Sequence, residues 1–444
     1  MSSTHSGNDS LNACHLWFES MGWSAAEYQL NSWEAQEKKQ HGLINAPTGS
    51  GKTYAALLPI IARYSGKSKK TTGLRALWIT PIRALAREIE LSAERAIQGM
   101  NSSLTVDIRT GDTSAAARTK QLQRLPNILI TTPESLHLML CSNRAHPFFE
   151  HLELLVADEW HELIGTKRGV QLELAISRLR KYSPNLLTWG ISATIGNLQE
   201  AMNCLLGKDK EGVLIKSTLR KQYEVMSILP EKPERMPWAG HLGIRLANQL
   251  LPIIHASQST LIFTNVRSQC EIWYRTLLEL DPSLAGVMAM HHGSISKEIR
   301  AWVEESLYDG RLKAVICTSS LDLGVDFAPV ETIIQIGGPK GVARFVQRAG
   351  RSGHRPNAIS RIYFLPTHSL ELIEAAALRQ AIQEEYLESK PPLTLCFDVL
   401  IQYLVTLGCG EGFDSLSTYN EVTKTYCFAD MTIDEWNWVV RFAS

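Results

Sequence analysis

Twice along these 444 residues, short β-rich runs alternate with helical patterns. That rhythm predicts α/β layers with parallel sheets, because a strand returning parallel to its neighbour needs a long crossover, and the crossover helices cover both faces. In the first half the expected strands are 74–80, 127–132, 152–159 and 186–194, with a helical pattern at 170–181 between the last two. In the second half they are 259–264, 285–290, 313–318, 331–336 and 361–365. Pro230, Pro233 and Pro237, bracketed by charges, read as a surface connection between the halves. The chain therefore divides into 1–219 and 220–388. Past a second break at 388–392, which carries adjacent prolines, the strands stop and helical patterns follow at 397–407, 416–425 and 433–442, giving a third segment, 389–444.

The run Ala46-Pro47-Thr48-Gly49-Ser50-Gly51-Lys52-Thr53 follows a short apolar stretch and precedes an apolar helical pattern. A phosphate-binding loop requires that context. In Thr48, Gly49, Ser50 and Gly51 the small side chains let backbone N–H groups turn inward to cradle phosphate oxygens, and the following helix adds its N-terminal partial charge. Lys52 would sit on the terminal phosphates and the Thr53 hydroxyl would bind Mg²⁺. The first position is Ala where the usual pattern has Gly. A chance Gly/Ser turn is the alternative, but few chains of this length carry the full pattern by composition.

About a hundred residues on, the apolar run 152–156 leads into Asp158-Glu159-Trp160-His161. Carboxylates at the C-terminal edge of a parallel sheet face the nucleotide crevice. Asp158 would hold Mg²⁺ through water and Glu159 would orient and deprotonate the attacking water. Alone, such a pair reads more simply as an acidic turn, and the upstream loop tips the balance. A zinc-protease helix is excluded, since H-E-x-x-H needs a second histidine where the chain has Gly165. His161 is instead expected to link the acids to Ser192-Ala193-Thr194, with Ser192 and Thr194 switching hydrogen-bond partners after hydrolysis.

The second half offers Gln347-Arg348-Ala349-Gly350-Arg351-Ser352-Gly353-His354-Arg355. A guanidinium stays ionised and stabilises charge on a transferring phosphoryl group, so Arg351, with Arg348 second, is the candidate finger and Gln347 joins the catalytic set. A basic surface helix is the alternative. Just upstream, the run from Cys317 to Asp326 opens from a strand end into a loop whose Gly324 and Asp326 suit ribose or inter-domain contact.

Lys plus Arg equals Asp plus Glu at 45 each, so no bulk attraction to a polyanion exists and any nucleic-acid grip must be local. The eight cysteines lie far apart with no C-x-x-C pair, a usage that fits a reducing cytosol and a cytoplasmic location. Neither an export signal nor a membrane span is visible, so no membrane partner is expected.

In order, APTGSGKT, TPIRALARE (80–88), TTPE (131–134), DEWH, SAT, LIFTNVRS (261–268), CTSSLDLGVD and QRAGRSGH resemble the motifs of superfamily 2 helicases over about residues 25 to 365. DEWHEL, QRAGRSGH and HHGSIS (291–296) are most similar to the large helicase-related, or Lhr-type, group. GLINAPTGSGKT and the opening GW…YQ resemble the ligase-associated DEXH-box helicases of bacterial DNA repair. The resemblance implies two RecA-like lobes, ATP in the cleft between them and single-stranded nucleic acid across their tops. It places Gln29 on the adenine of ATP. It sets Arg83, Gly111, Asp112, Thr132, Thr264, Arg267 and Thr318 toward the strand's phosphates. His354 stands where many relatives carry a second cleft arginine. Residues 389–444 resemble the helices of a winged helix without its β-wing, so a truncated or shortened form is expected. The implied activity is ATP-driven 3′-to-5′ movement on single-stranded DNA and unwinding of duplex DNA or RNA–DNA hybrid in repair, beside a DNA ligase or nuclease. The alternative is an ATP-gated clamp or remodelling scaffold that closes on nucleic acid without unwinding it.

Overall fold

Strands buried on both faces are apolar at every position, and those runs build the sheets here. The computed structural model describes residues 3–66, 71–219, 222–230, 242–322, 330–352 and 360–443. The first half forms β1 (His41–Asn45), β2 (Ala76–Ile79), β3 (Val106–Arg109), β4 (Ile128–Thr131), β5 (Leu154–Ala157), β6 (Leu187–Ser192) and β7 (Gly212–Lys216). All pair in parallel, in the order β3-β4-β2-β5-β6-β1-β7. Alternate side chains feed two cores. Ile44, Trp78, Ile130, Val156 and Trp189 point into one, with the helices Lys52–Ala62 and Arg83–Gly99. Leu43, Leu77, Leu129, Leu155 and Ala157 point into the other, with the helices Pro133–Leu140, Lys167–Tyr182 and Leu198–Leu206.

In the second half β8 (Tyr223–Ser227), β9 (Thr260–Phe263), β10 (Met288–His291), β11 (Ala314–Cys317), β12 (Thr332–Ile336) and β13 (Ser360–Leu365) form another all-parallel sheet, ordered β10-β11-β9-β12-β13-β8. The chain separates into two compact units. One holds Met1–Ala46, Ser50–Thr218 and Ser389–Ser444, and the other holds Leu219–Glu388 with the loop residues Pro47–Gly49.

Residues 389–444, expected as a segment of their own, thus join the first unit. Their helices Phe397–Cys409, Ser415–Val422 and Ile433–Ala443 share a core with one face of Lys167–Tyr182. Val170 and Leu174 meet Val399, Leu400, Tyr403 and Leu404 there. On the same helix Arg178 Nε lies 3.0 Å from Glu421 Oε1, and Tyr403 donates its hydroxyl to that oxygen at 2.8 Å.

Two strand expectations were too long. β5 stops at Ala157 and β6 at Ser192, so both acids and Ala193-Thr194 lie beyond the sheet's C-terminal edge. The strand expected at 285–290 begins at Met288, after the 3-10 turn Pro282–Leu284.

Candidate nucleotide site and nucleic-acid faces

Parallel strands end together, and the register fixes what their ends bring together. Asn45 of β1 pairs with Ser192 of β6, and Ala157 of β5 pairs with Gly190 of β6. The phosphate loop, the acids and the Ser-Ala-Thr run therefore leave one edge of one sheet. Asn45 Nδ2 ties the first to the last by donating to the carbonyls of Ser192 (3.4 Å) and Ala193 (3.3 Å).

The loop turns into its helix through left-handed glycines, Gly49 (φ 74°) and Gly51 (φ 83°). At Gly51 a Cβ would also lie 2.8 Å from Gln29 Nε2. The helix Glu27–Glu37 lies along the first turns of Lys52–Ala62 and donates to two carbonyls of the loop before it and two of that helix. Tyr28 Oη reaches Ser50 O (2.6 Å), Gln29 Nε2 reaches Gly51 O (3.1 Å), Trp33 Nε1 reaches Tyr54 O (3.1 Å) and Gln36 Nε2 reaches Ala55 O (3.0 Å). Gln29 Oε1 accepts from the Ala26 N–H at 2.8 Å, so its amide is oriented from both ends beside the loop. Lys52 opens the helix with its side chain buried, and among the described residues its Nζ has no hydrogen-bond partner. Thr53 follows, half-buried.

Asp158 is buried, receiving Trp78 Nε1–H at 3.2 Å and the Glu159 N–H at 2.9 Å. Burial pushes its carboxyl well above the usual carboxylate range; the neighbouring Glu159 adds to this, and the Lys52 ammonium opposes it. Glu159 has φ 45°, a left-handed backbone that a non-glycine residue seldom adopts. Held strain of that kind clusters at functional sites.

His161 is fully buried behind the acids. The Ala193 N–H points at its Nδ1 (3.5 Å), as does Ser192 Oγ (3.3 Å). A backbone N–H can only donate, so Nδ1 accepts and the ring proton sits on Nε2, 3.4 Å from Glu159 Oε2. Burial holds the imidazole below its ordinary pKa, against the pull of Glu159 and Glu162. The structure thus brings His161, Glu159 and Ser192 into one chain of contacts. Thr194 Oγ1 is buried nearby without a hydrogen-bond partner among the described residues.

At the far strand ends of this unit Arg83 starts the helix after β2 and pairs with Asp112 at 2.9 Å, both exposed. A Cβ on Gly111 would lie 2.7 Å from Arg83 Nη2, so the guanidinium rests against that backbone. Thr132 caps the helix after β4, accepting the Ser135 N–H at 3.4 Å. Arg83, Gly111, Asp112 and Thr132 accordingly follow β2, β3 and β4 along one edge.

In the second unit Thr264 Oγ1 donates to Cys317 O at 3.2 Å, and Thr318 N–H donates to His291 O at 3.2 Å. Arg267, exposed, donates to Ser294 Oγ at 2.9 Å. These three leave the ends of β9 and β11. The arginines separate sharply. Arg348 is buried, with Nε and Nη2 on the Asp322 carboxylate (2.7 and 3.1 Å), Nη1 on Gln335 Oε1 (2.6 Å), and its guanidinium over the Phe263 ring. Those contacts hold the Arg348 guanidinium against Asp322 and Gln335. Arg351 is half-buried and donates from Nη2 to the Asp322 carbonyl at 3.0 Å. Gln347 is buried on the same helix. Gly324, Asp326, His354 and Arg355 lie outside the described residues.

Three family models match the chain. They are the DEAD/DEAH box helicase over 26–201, the helicase conserved C-terminal domain over 244–355, and the winged helix domain of large helicase-related proteins over 380–444. The ATP-dependent helicase Lhr-Core of Methanocaldococcus jannaschii is 32% identical over 403 residues, covering 88% of this chain and 47% of the relative. The chain belongs to the Lhr-type superfamily 2 helicases. The Lhr helicase/probable uracil glycosylase of Mycolicibacterium smegmatis is 29% identical over 458 residues, 94% of this Lhr-type chain and 30% of that protein. Among solved structures, the Mycobacterium smegmatis helicase Lhr bound to ssDNA and AMP-PNP superposes with a TM-score of 0.86 at 30% identity, covering 96% of this chain and 57% of that one. The two parallel sheets are therefore RecA-like domains, followed by a helical region. The Lhr-type chain spans about half the length of the curated Lhr-Core relatives it matches. No described helix is long and apolar enough to cross a membrane.

Sequence reasoning passed over Trp78, Asn45, Asn197, Glu388 and Lys390. Asn45 stands inside GLINAPTGSGKT without a role of its own, the other four stand in no motif, and only the paired prolines beside Lys390 mark its neighbourhood.

Proposed function

We propose that this chain is the ATP-hydrolysing motor of an Lhr-type helicase, driven by single-stranded DNA and acting on duplex DNA or RNA–DNA hybrid. One observation carries the reading. Lys52 Nζ is buried without a hydrogen-bond partner among the described residues, at the start of the helix after the glycine loop. An unpartnered buried ammonium is costly, and a phosphate tail is the anion that loop and helix N-terminus are shaped to receive. The donor set also fits Mg²⁺. A divalent cation held by Thr53 and, through water, by Asp158 would offset the burial that pushes the Asp158 carboxyl up. When bound, that cation supplies positive charge to the phosphate oxygens as the terminal phosphoryl group leaves.

The chain's own residues divide the remaining work. Lys52 and the loop amides hold the phosphates, with Gln29 beside the loop for the base. Glu159 orients water and takes its proton, and the Nε2–H of His161 faces the Glu159 carboxylate while Nδ1 senses Ser192 and Ala193. Arg351 stabilises charge on the transferring group. For the strand, Arg83, Gly111, Asp112, Thr132, Thr264, Arg267 and Thr318 are assigned to phosphate contacts, supported by their common position past strand ends and by the single-stranded DNA in the Mycobacterium smegmatis Lhr complex. Grip of that kind weakens with salt. A role in DNA repair, with a ligase or nuclease partner, is carried by the motif resemblance alone.

Two assays side by side test the reading. ATP turnover is measured with and without single-stranded DNA, and strand displacement is measured on tailed duplexes. Stimulated turnover with displacement supports a motor. Stimulated turnover with the duplex left paired supports the clamp, and no turnover with any nucleic acid refutes both.

A further inference from the structure

Lys390 belongs to no motif, yet it reaches the acid loop from 229 residues away in sequence. Its Nζ donates to His161 O at 2.6 Å and lies 3.7 Å from Glu162 Oε1. One side chain clamps its peptide groups on both sides. Lys390 N–H donates to Asn197 Oδ1 at 2.9 Å, and Asn197 Nδ2 donates to Lys390 O at 3.1 Å. Asn197 precedes the helix Leu198–Leu206 and makes no capping bond to it. Its Nδ2 also donates to Glu200 Oε2 at 2.6 Å, so the same amide ties Lys390 to the first turn of that helix. Directly after Lys390, the Pro391 carbonyl presses on Gly165, where a Cβ would lie 2.8 Å from it. Ahead of it, both carboxylate oxygens of Glu388 accept backbone N–H groups, from Val342 and from Ala343 (2.9 Å). Those amides open the helix Val342–Ala349, which carries Gln347 and Arg348 and leads to Arg351. Only Ser389 separates the two anchors.

We propose that Lys390 is a positioning residue for ATP hydrolysis: it fixes the His161 peptide so that the imidazole keeps Glu159 aligned. The His161 carbonyl belongs to a one-turn helix, Trp160–Leu163. The last carbonyls of a helix lack partners along it, and a cation there complements the dipole, so a lysine is the residue type that holds such a turn.

The proposal rests on the ATPase reading above, and the test keeps the two apart. DNA-stimulated turnover is compared in the parent, K390M, K390R and N197A. K390M should lose about tenfold in kcat with the KM for ATP within about twofold. K390R, which keeps a charged donor, should recover most of the rate. N197A leaves the lysine in place but frees its backbone, and should follow K390M. A parent without turnover refutes the ATPase reading instead. With an active parent, the proposal is overturned by K390M at parent kcat or by K390R as slow as K390M.

Discussion

Glu173 gives the docking of residues 389–444 a measurable signature. Its carboxyl is buried in the helix Lys167–Tyr182, with Oε2 accepting the Cys427 N–H at 2.9 Å and Oε1 meeting Cys204 Sγ at 3.2 Å. Burial pushes it up to about 8 from an ordinary 4.5, against the Cys427 and Cys204 contacts. The sign follows from linkage. Below about pH 4.5 the group is protonated folded and unfolded, so it costs nothing. As pH rises the unfolded state releases the proton while the folded state keeps it, which subtracts about 1.4 kcal/mol of stability per unit until the folded pKa is passed. At pH 7 the loss is about 3 kcal/mol, and at pH 5 it is about 1 kcal/mol. Glu173→Gln keeps the shape and an acceptor for Cys427 and has no proton to lose, so it should recover up to those amounts. At roughly 2–4 °C per kcal/mol for a unit of this size, the variant should melt about 8 °C above the parent at pH 7 and about 2 °C above it at pH 5. Thermal melts followed by tryptophan fluorescence at pH 5, 6 and 7 read the gap. A gap that does not change with pH, or a variant less stable at pH 7, means that Glu173 is ionised and that the C-terminal segment does not seal it from water.

The remaining predictions concern the chemistry. Lys52→Ala should lose DNA-stimulated ATP turnover and melt no lower than the parent, because it removes a buried ammonium with no hydrogen-bond partner; parent-rate turnover would show that the loop does not hold the phosphates. Glu159→Gln should bind ATP and DNA and stall, measured by equilibrium binding beside steady-state turnover; normal turnover would remove Glu159 as the base. Arg351→Ala should keep ATP affinity within a few-fold while kcat falls at least about 10²-fold, the scale of losing a finger that acts on the transition state. Unchanged kcat would remove Arg351 as the finger and leave it a structural residue bonded to the Asp322 carbonyl.

How far the sequence carries depends on whether a feature is set locally. β2, β4, β5, β9 and β11 are buried at every position, and their apolar runs are plain in the chain. β3, β7 and β8 escape because Val-Asp-Ile-Arg, Gly-Val-Leu-Ile-Lys and Tyr-Glu-Val-Met-Ser stand at sheet edges, half in water, where partnership with one neighbour decides the strand. The phosphate loop is legible because its glycines and lysine act within eight residues. The left-handed backbone of Glu159 is not, since nothing in Asp-Glu-Trp-His demands it. The sequence ranks Arg351 above Arg348 but does not show that Arg348 is buried on the Asp322 carboxylate and Gln335, partners set beside it by the sheet.

The helix Lys167–Tyr182 shows why the third segment cannot be read as an appendage. Leu172, Ala175, Ile176 and Leu179 face the first sheet, while Val170 and Leu174 face the C-terminal helices. A helix apolar on opposite sides must be covered on both, so the ATP-binding unit is complete only with residues 389–444 against it. Arg178 makes the same demand in charge, since Glu421, which is its partner, and Tyr403, which is bonded to that carboxylate, both come from that segment. Such a buried pair adds little over an apolar one, but losing one member leaves an uncompensated ion, so it fixes which partner docks and how. The docking in turn delivers Lys390 to His161, on the same face of the sheet where Glu159 and Ser192 meet the imidazole. A segment that could have been a passive domain is thereby bonded into the acid loop.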